Sequence, residues 1–478
     1  MQLNVAAVDA VVSRPELLEK AERQSRPRVA GRGIAFAQQE DVHLTGRLPR
    51  TARGGRVKVC KIWDAEYPWD VRAEKICRAL TDAGHEVHLV ARNRDGRPLV
   101  ERLPECTVHR LRPWNWLGSA GNAASMFPAF FNPRWMHQIA RVARDTGADV
   151  LLSRDLPLTP TAVLVGARLH LPVVFDMAEN YPALMRAIFE NKRQRGLDWI
   201  VRNGWITERI ERWTLRRVNH VLAVVEESRD RLVELGVPLE KISVVGNTPP
   251  RARAVTTRSL DHGCQSGALH VVYLGLLEVP RGIGTLLDAV AQCRQHGFAI
   301  RASLLGAGRD QGFLEAHARS LGLGEAVRFF GYVPNARALE LVAEADVGVI
   351  PHHADASWNS TIPNKLFDYM AAGLPVLASD ARPVARILAE TGAGETFHDR
   401  DAGDLAARLT RLGEPALRAR YGAAGRAAVL ARYHWESDVA RLLDALNGVR
   451  RRRPTVPRTD ADDNASARDG AHQPGLTS

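Results

Sequence analysis

From Val57 onward the chain repeats one pattern. A short run of consecutive apolar residues gives way to a turn rich in Gly, Pro or Asp, and then to a longer stretch whose apolar positions recur three and four apart. The short runs predict strands at 57–62, 87–91, 108–111, 150–153, 173–176 and 221–225. The longer stretches predict helices between most of them, among them 71–83, with Ile76, Ala79 and Leu80 turned inward, and a long one around 196–219. Strand–helix–strand order implies a parallel sheet with right-handed crossovers. A second series begins at 269, with strands at 269–274, 302–305, 327–330, 347–350 and 376–379, followed by helices from 402, over 415–432 and over 435–446. Residues 246–268 carry Pro, Gly, Ser and Arg without an apolar period and read as a linker. Residues 1–55 and 450–478 are polar, arginine-rich and aperiodic. They are expected to form a disordered arm, with at most a short helix in VVSRPELLEKAERQ, and a disordered tail. The fold class is therefore α/β: two Rossmann-like, doubly wound parallel-sheet domains, 56–245 and 269–432, facing an interdomain cleft. Ligands are expected just beyond the strand C-termini.

One stretch organises the second domain: NSTIPNKLFDYMAAGLPVLASD, residues 359–380. Ser360 or Thr361 can cap a helix with Pro363 in its first turn, and Gly373 and Pro375 end it before an apolar strand. Leu366, Phe367 and Met370 share one face; Asn364, Lys365 and Asp368 share another. A helix start that carries a lysine suits a diphosphate. A carboxylate one turn in can accept hydrogen bonds from two ribose hydroxyls. By itself the stretch reads more readily as an ordinary amphipathic helix with a solvated polar side.

PNKLFDYMAAGLPVLASD resembles the donor-site helix of the family 4 glycosyltransferases, retaining enzymes of the GT-B fold. The resemblance runs from about Val57 to Leu446. It implies that Asp368 binds the ribose of a nucleotide sugar, that Lys365 lies near the phosphates, and that Asn364 and Leu366 sit among the donor-binding positions. A second acid common eight residues earlier in that family is here Ser360. YLGLLEVPRGIG resembles the family's Gly-rich turn and basic-Gly element. That implies a donor contact at Gly275 and a diphosphate clamp at Arg281; a surface arginine at a helix start is the plain alternative. Leu276 stands where many members have an arginine. Gly275, Gly282 and Gly284 do not fit the dinucleotide fingerprint GxGxxG. LLGAGRD resembles the small-residue turn that admits the donor, through Gly306 and Gly308. FFGYVP resembles the segment whose backbone meets the nucleobase, here Tyr332 and Val333. His352 and His353 are read as loop or structural histidines, and Asp346 as a structural acid.

In the first domain, PVVFDMAENYP resembles a cleft-lining segment with two acids, Asp176 and Glu179, and with Ala178 where a histidine is common. The resemblance gives both acids a catalytic or acceptor-orienting role, while Asp176 as a helix cap is an equal alternative. WDAEYPWDVR resembles the loop after the first strand, placing Trp63, Asp70 and Arg72 on the acceptor side; Asp70 can equally be an N-cap. The final helix, 433–449, resembles the family's crossover onto the first domain.

Composition alters this picture little. Five scattered cysteines (Cys60, Cys77, Cys106, Cys264, Cys293) form no metal-spaced cluster, and together with the lack of a signal-like or membrane-spanning run they point to the reduced cytoplasm. A net charge of +11 suits anionic nucleotides and an anionic membrane surface, and arginine-rich coding bias is the duller source. No recognition-helix or aromatic-basic RNA pattern supports nucleic acid as a partner. Trp199, Trp205 and Trp213 among Arg193, Arg195, Arg202, Arg209, Arg212, Arg216 and Arg217 suit peripheral contact with the inner membrane face, or equally a core-facing helix with a basic outer side. The resemblance thus implies sugar transfer from a UDP- or GDP-type donor to a glycan, lipid-linked or small-molecule acceptor, with retention and no cofactor or required metal. A GT-B sugar-nucleotide epimerase or hydrolase, or a non-catalytic donor-binding partner of another glycosyltransferase, are the rivals.

Overall fold

The computed structural model describes residues 55–68, 70–113, 130–190, 203–256 and 267–451. The expected arm at 1–55 (all but its last residue), the tail from 452, part of the linker, Trp199 and three of the arginines near it lie outside the described residues.

The first domain runs β1 (Lys58–Ile62), α1 (Val71–Asp82), β2 (Glu86–Ala91), β3 (Val100–Leu103), β4 (Cys106–Arg110), α2 (Pro133–Thr146), β5 (Val150–Arg154), α3 (Thr159–Leu169), β6 (Val173–Met177), α4 (Tyr181–Glu190), α5 (Gly204–Leu215), β7 (His220–Ala223), α6 (Glu226–Glu234) and β8 (Ile242–Val244). Its sheet has the order β3-β4-β2-β1-β5-β6-β7-β8, parallel except that β3 runs antiparallel to β4 at the edge. After α7 (Arg251–Thr256) the second domain runs β9 (Leu269–Leu274), α8 (Ile283–Gln295), β10 (Ile300–Leu305), α9 (Gln311–Ser320), β11 (Val327–Gly331), α10 (Asn335–Ala343), β12 (Val347–Ile350), α11 (Lys365–Ala372), β13 (Val376–Ser379), α12 (Arg382–Thr391), β14 (Gly394–Phe397), α13 (Ala402–Arg411) and α14 (Pro415–Ala431). Its sheet is wholly parallel, ordered β11-β10-β9-β12-β13-β14.

Central parallel strands are covered by helices on both faces, so they are continuous apolar runs and were readable as such. Three edge strands are not. β3 (VERL) alternates exposed and half-buried residues, β14 (GETF) buries only Phe397, and β8 is three residues long, so none of them offers an apolar run. The linker also holds an unexpected helix: α7 packs on α11 and α14 through the buried Ala254. A single inward residue in one helical turn leaves no period to detect. The last helix, α15 (Trp435–Arg451), returns to the first domain, where Trp435, Val439, Leu442 and Leu446 share a core with Val57, Val59 and Ile76.

Each sheet has a switch point, where the strand order reverses on either side of its first strand. In the first domain it lies between β1 and β5, in the second between β9 and β12. Connections leave such a pair of strands in opposite directions, opening a crevice at their C-terminal ends.

Candidate active site in the interdomain cleft

Beside the second switch point two strand ends converge on glycine. Gly275 follows β9 and Gly306 follows β10. Gly306 has φ +142°, and a Cβ there would lie 1.9 Å from the Gly275 carbonyl oxygen, so only glycine permits this approach. Arg281 ends a single 3-10 turn before Gly282, whose φ of +68° and closeness to Pro351 likewise demand glycine. The Arg281 guanidinium lies 4.8 Å from the Trp358 ring centre. Gly308 packs against Leu277.

α11 differs from its sequence reading. It starts at Lys365, and Ser360 ends a separate 3-10 turn, Trp358–Ser360, so neither Ser360 nor Thr361 caps it. Pro363 disfavours helical geometry in the residue before it, and the Ser360 hydroxyl is engaged elsewhere, donating to Ala356 O at 2.9 Å. The polar side is not a solvated face either. Lys365 is 8% exposed; its Nζ lies 3.9 Å from the Tyr273 ring centre and 3.0 Å from His352 Nε2. Burial and the neighbouring Arg281 push the lysine far below its usual range. Leu366, expected among the donor contacts, is sealed in the core and its N–H is bonded to Pro363 O. Asn364 is exposed at the helix start, and Tyr332, 62% exposed, stands with Val333 on the turn after β11. Asp368 accepts from Arg253 Nη1 of α7 at 2.5 Å. Burial raises its pKa, opposed by Arg253 and Lys75.

At the first switch point the structure re-sorts the expected residues. Asp176 is wholly buried and caps no helix. Its Oδ1 accepts from Arg72 Nε at 3.0 Å and Nη2 at 2.6 Å, and Oδ2 lies 3.7 Å from Lys61 Nζ. Burial works against its charge, but Arg72 and Lys61 outweigh it and hold the carboxyl below the usual range. Arg72, itself buried, also donates to Gly246 O at 2.9 Å, so it is a strut to the linker and no acceptor contact. Asp70 caps α1 through Ala73 N at 2.7 Å and pairs with Arg154. Arg154 in turn stacks 4.3 Å over Trp63 and meets Asp155 at 3.3 Å.

Asp155, absent from the sequence reading, sits directly after β5 with φ +56°, its carboxylate held by Ala178 N at 3.1 Å. The RDLP turn after an apolar strand was the available signal, because non-glycine residues at such angles gather at functional sites. Glu179 opens to the cleft from the end of β6. The crowding of the cleft walls and the Asp155 carboxylate raise its pKa, opposed by Arg281 and Arg154. Water reaches this carboxylate, so the effect is a bias rather than neutralisation.

The two domains meet at this cleft. Asn180 Nδ2 donates to Ser360 Oγ at 2.8 Å, Thr361 Oγ1 donates to Ala178 O at 3.3 Å, and Ser228 donates to Ser360 O. Arg386 of α12 adds ion pairs to Glu226 and Glu227 at 2.8 and 2.7 Å. Among the described residues no three His, Cys, Asp or Glu side chains form a set that could hold a metal ion, and no helix is long and apolar enough to cross a membrane.

Two doubly wound domains, their switch points opposed across one cleft, with glycine turns, a buried lysine and an arginine on one side and acids with an aromatic on the other, define a GT-B fold. Residues 70–248 match the family model "Glycosyl transferase 4-like domain" and residues 268–414 match "Glycosyl transferases group 1". The chain is 30% identical over 383 residues to the phosphatidyl-myo-inositol mannosyltransferase of Mycolicibacterium smegmatis, covering 78% of this chain and 89% of that one. It is 24% identical to the glycogen synthase of Mycobacterium tuberculosis, covering 53% of this chain and 63% of the synthase. In fold it is similar to HepE of Anabaena in complex with UDP and glucose, with a TM-score of 0.60 at 16% identity, covering 82% of this chain and 100% of that one. The chain belongs to the family 4 glycosyltransferases.

Proposed function

We propose that the protein moves a glycosyl group from a UDP- or GDP-type sugar to a hydroxyl of a glycan, lipid-linked or small-molecule acceptor, with retention. The observation that carries this reading is the cationic pocket at the second switch point, with Lys365 buried against the Gly275 turn and Arg281 beside it. In the proposed step the bond from the sugar C1 to the terminal phosphate oxygen breaks and its electron pair stays on that oxygen. The acceptor oxygen bonds to C1 on the same face, and its proton passes to the leaving phosphate. Arg281 and Lys365 stabilise the charge that grows on the diphosphate in a site with little water. Asp368 accepts from the ribose hydroxyls, while Glu179 and Asp155 orient the acceptor. The names of the phosphatidyl-myo-inositol mannosyltransferase and glycogen synthase relatives, one pointing to a lipid and one to a glycan, support the acceptor class. UDP in the HepE complex supports the donor class.

The chain's own cations serve the leaving group, so turnover is expected to persist in EDTA. Thermal shift of the full chain against UDP-, GDP- and ADP-sugars should single out one nucleotide, and NMR of the product should show the donor's anomeric configuration retained. Inverted product would refute the retaining step. Nucleotide-sugar consumption at an equal rate with and without any acceptor would favour the hydrolase reading.

A further inference from the structure

His352 follows β12 at the second switch point and is 2% exposed. Its Nε2 lies 3.0 Å from Lys365 Nζ, while its Nδ1 is buried with no hydrogen-bond partner among the described residues. The ring is fixed on several sides. The Trp358 ring lies 4.1 Å away, the Tyr273 ring 6.5 Å, and the His352 carbonyl accepts from the Ser379 hydroxyl. A buried imidazole held this firmly with one nitrogen left unpaired costs stability, and such groups in native sites call for an explanation beyond packing. Lys365 supplies one. Two basic nitrogens at this distance share one proton: either the ammonium donates to a neutral ring, or the ring N–H donates to a neutral amine.

We propose that His352 is the positioning residue that holds the Lys365 amine at the donor diphosphate, the pair sharing a single proton. The proposal rests on the reading of Lys365 as the diphosphate contact. The groups facing the pair are Arg281 from the turn before α8, Tyr273 from β9, His353 next in the chain and Trp358 from the 3-10 turn that follows. Burial, Lys365, Arg281 and His353 all push His352 well below its ordinary range, and burial with Arg281 does the same to Lys365. In the free pocket the pair is therefore short of positive charge. An arriving diphosphate restores it, and binding takes up a proton. His352 touches no substrate in this account; it acts through Lys365.

Calorimetry of UDP and GDP binding to the full chain, in PIPES and Tris at one pH, measures both affinity and proton uptake. Wild type should bind one nucleotide with proton uptake. H352L should weaken that binding about tenfold or more and lose uptake. H352Q, whose amide reaches the Nε2 position, should keep most of the affinity, while the shorter H352N should lose it. In the K365M background H352L should add little, because its effect runs through the lysine. Equal binding by H352Q and H352N, wild-type binding by H352L, or an undiminished H352L effect in K365M each overturns the proposal, and the amide pair decides it should H352L not fold. Wild type that binds no nucleoside diphosphate overturns the donor reading and the proposal together. Wild-type binding with an unchanged histidine variant overturns only the proposal.

Discussion

Asp368→Asn separates ribose binding from folding. The carboxylate is half-buried and accepts from Arg253 Nη1 at 2.5 Å, with Lys75 close enough to favour its charge. The amide keeps the shape and one acceptor but removes the charge that would strengthen two hydrogen bonds from a ribose diol. Hydrogen bonds to a charged group are worth about 1.5–3 kcal/mol, which corresponds to roughly 10- to 150-fold in Kd. The cost to stability is smaller. Arg253 is about one-third exposed, so water takes over much of the lost pairing, and about 1 kcal/mol or less is expected. Calorimetry with the nucleoside diphosphate that wild type prefers, and with its 2′-deoxy form, reads the assignment directly. Wild type should discriminate against the deoxy ligand, and Asp368→Asn should bind both weakly and nearly alike. A folded variant that matches wild-type affinity, or that keeps full discrimination, would refute the assignment. Arg253→Met serves as the control, since it frees the carboxylate without removing it and should leave discrimination in place.

Asp176→Ala should cost about 3–5 kcal/mol in denaturant unfolding, because Lys61 and Arg72 are left charged and buried without a counter-ion; a loss within 1 kcal/mol would show that the cluster is not ionised. His109, on β4 with His88 3.2 Å away and Arg141 and Asp145 nearby, has its pKa pushed down to about 4, chiefly by burial. The unfolded chain takes up this proton first, so stability should fall as pH drops from about 6.5 to 4, by about 1–3 kcal/mol in all, and His109→Gln should flatten that slope in melts run across the range. Glu179→Gln should lower kcat/KM for the acceptor while leaving nucleotide Kd unchanged in a direct binding assay; parallel losses in both would place Glu179 on the donor. Trp205, 62% exposed with Arg209 stacked 4.5 Å from its ring, should support salt-sensitive sedimentation with phosphatidylglycerol vesicles; undiminished binding by Trp205→Ala would remove this face from the contact.

What was legible follows from where each signal lies. Strands buried on both faces wrote themselves as VVFDM or VLAS, and the glycine turns after them were visible because a strand ends and a helix begins within a few residues. Asp176 was misassigned because an Asp at a strand end looks the same whether it faces the cleft or the core. Asp176 faces the core only because Lys61 and Arg72, distant in sequence, are brought beneath it. Asp155 escaped notice for the complementary reason, since a backbone angle is not written in the residue type. Trp213 shows the same ambiguity. The basic–aromatic spacing that suggests a membrane face also fits the half-buried ring found packed edge-on against Phe131, 5.5 Å between centres, while Trp205 is left open.

Two of the three departures from the family pattern, Leu276 and Ser360, make joint sense in the structure. With Leu276 in place of an arginine, the glycine turn after β9 lacks a cation of its own. A Cβ on Gly275 would lie 2.9 Å from Lys365 Nζ, so the amine from α11 reaches that same turn from the opposite wall. Bringing it there requires α11 to begin at Lys365, which the Pro363 break and the separate Trp358–Ser360 turn achieve. Ser360 then lies 5% exposed between the domains, where its hydroxyl accepts from Asn180 and its carbonyl from Ser228. A carboxylate in that small buried contact would have to give up its hydration for one neutral hydrogen bond from Asn180, an exchange that favours a neutral side chain. Ala178, where a histidine is common, meets Thr361 through its backbone carbonyl and Asp155 through its N–H, contacts that do not depend on the side chain and leave this substitution without a structural explanation. The helix thus supplies the charge that the loop lacks, and the residue in place of a carboxylate serves as a domain clasp. Leu276→Arg should therefore partly restore nucleotide binding to K365M in calorimetry, and a double variant that binds no better than K365M alone would refute the exchange.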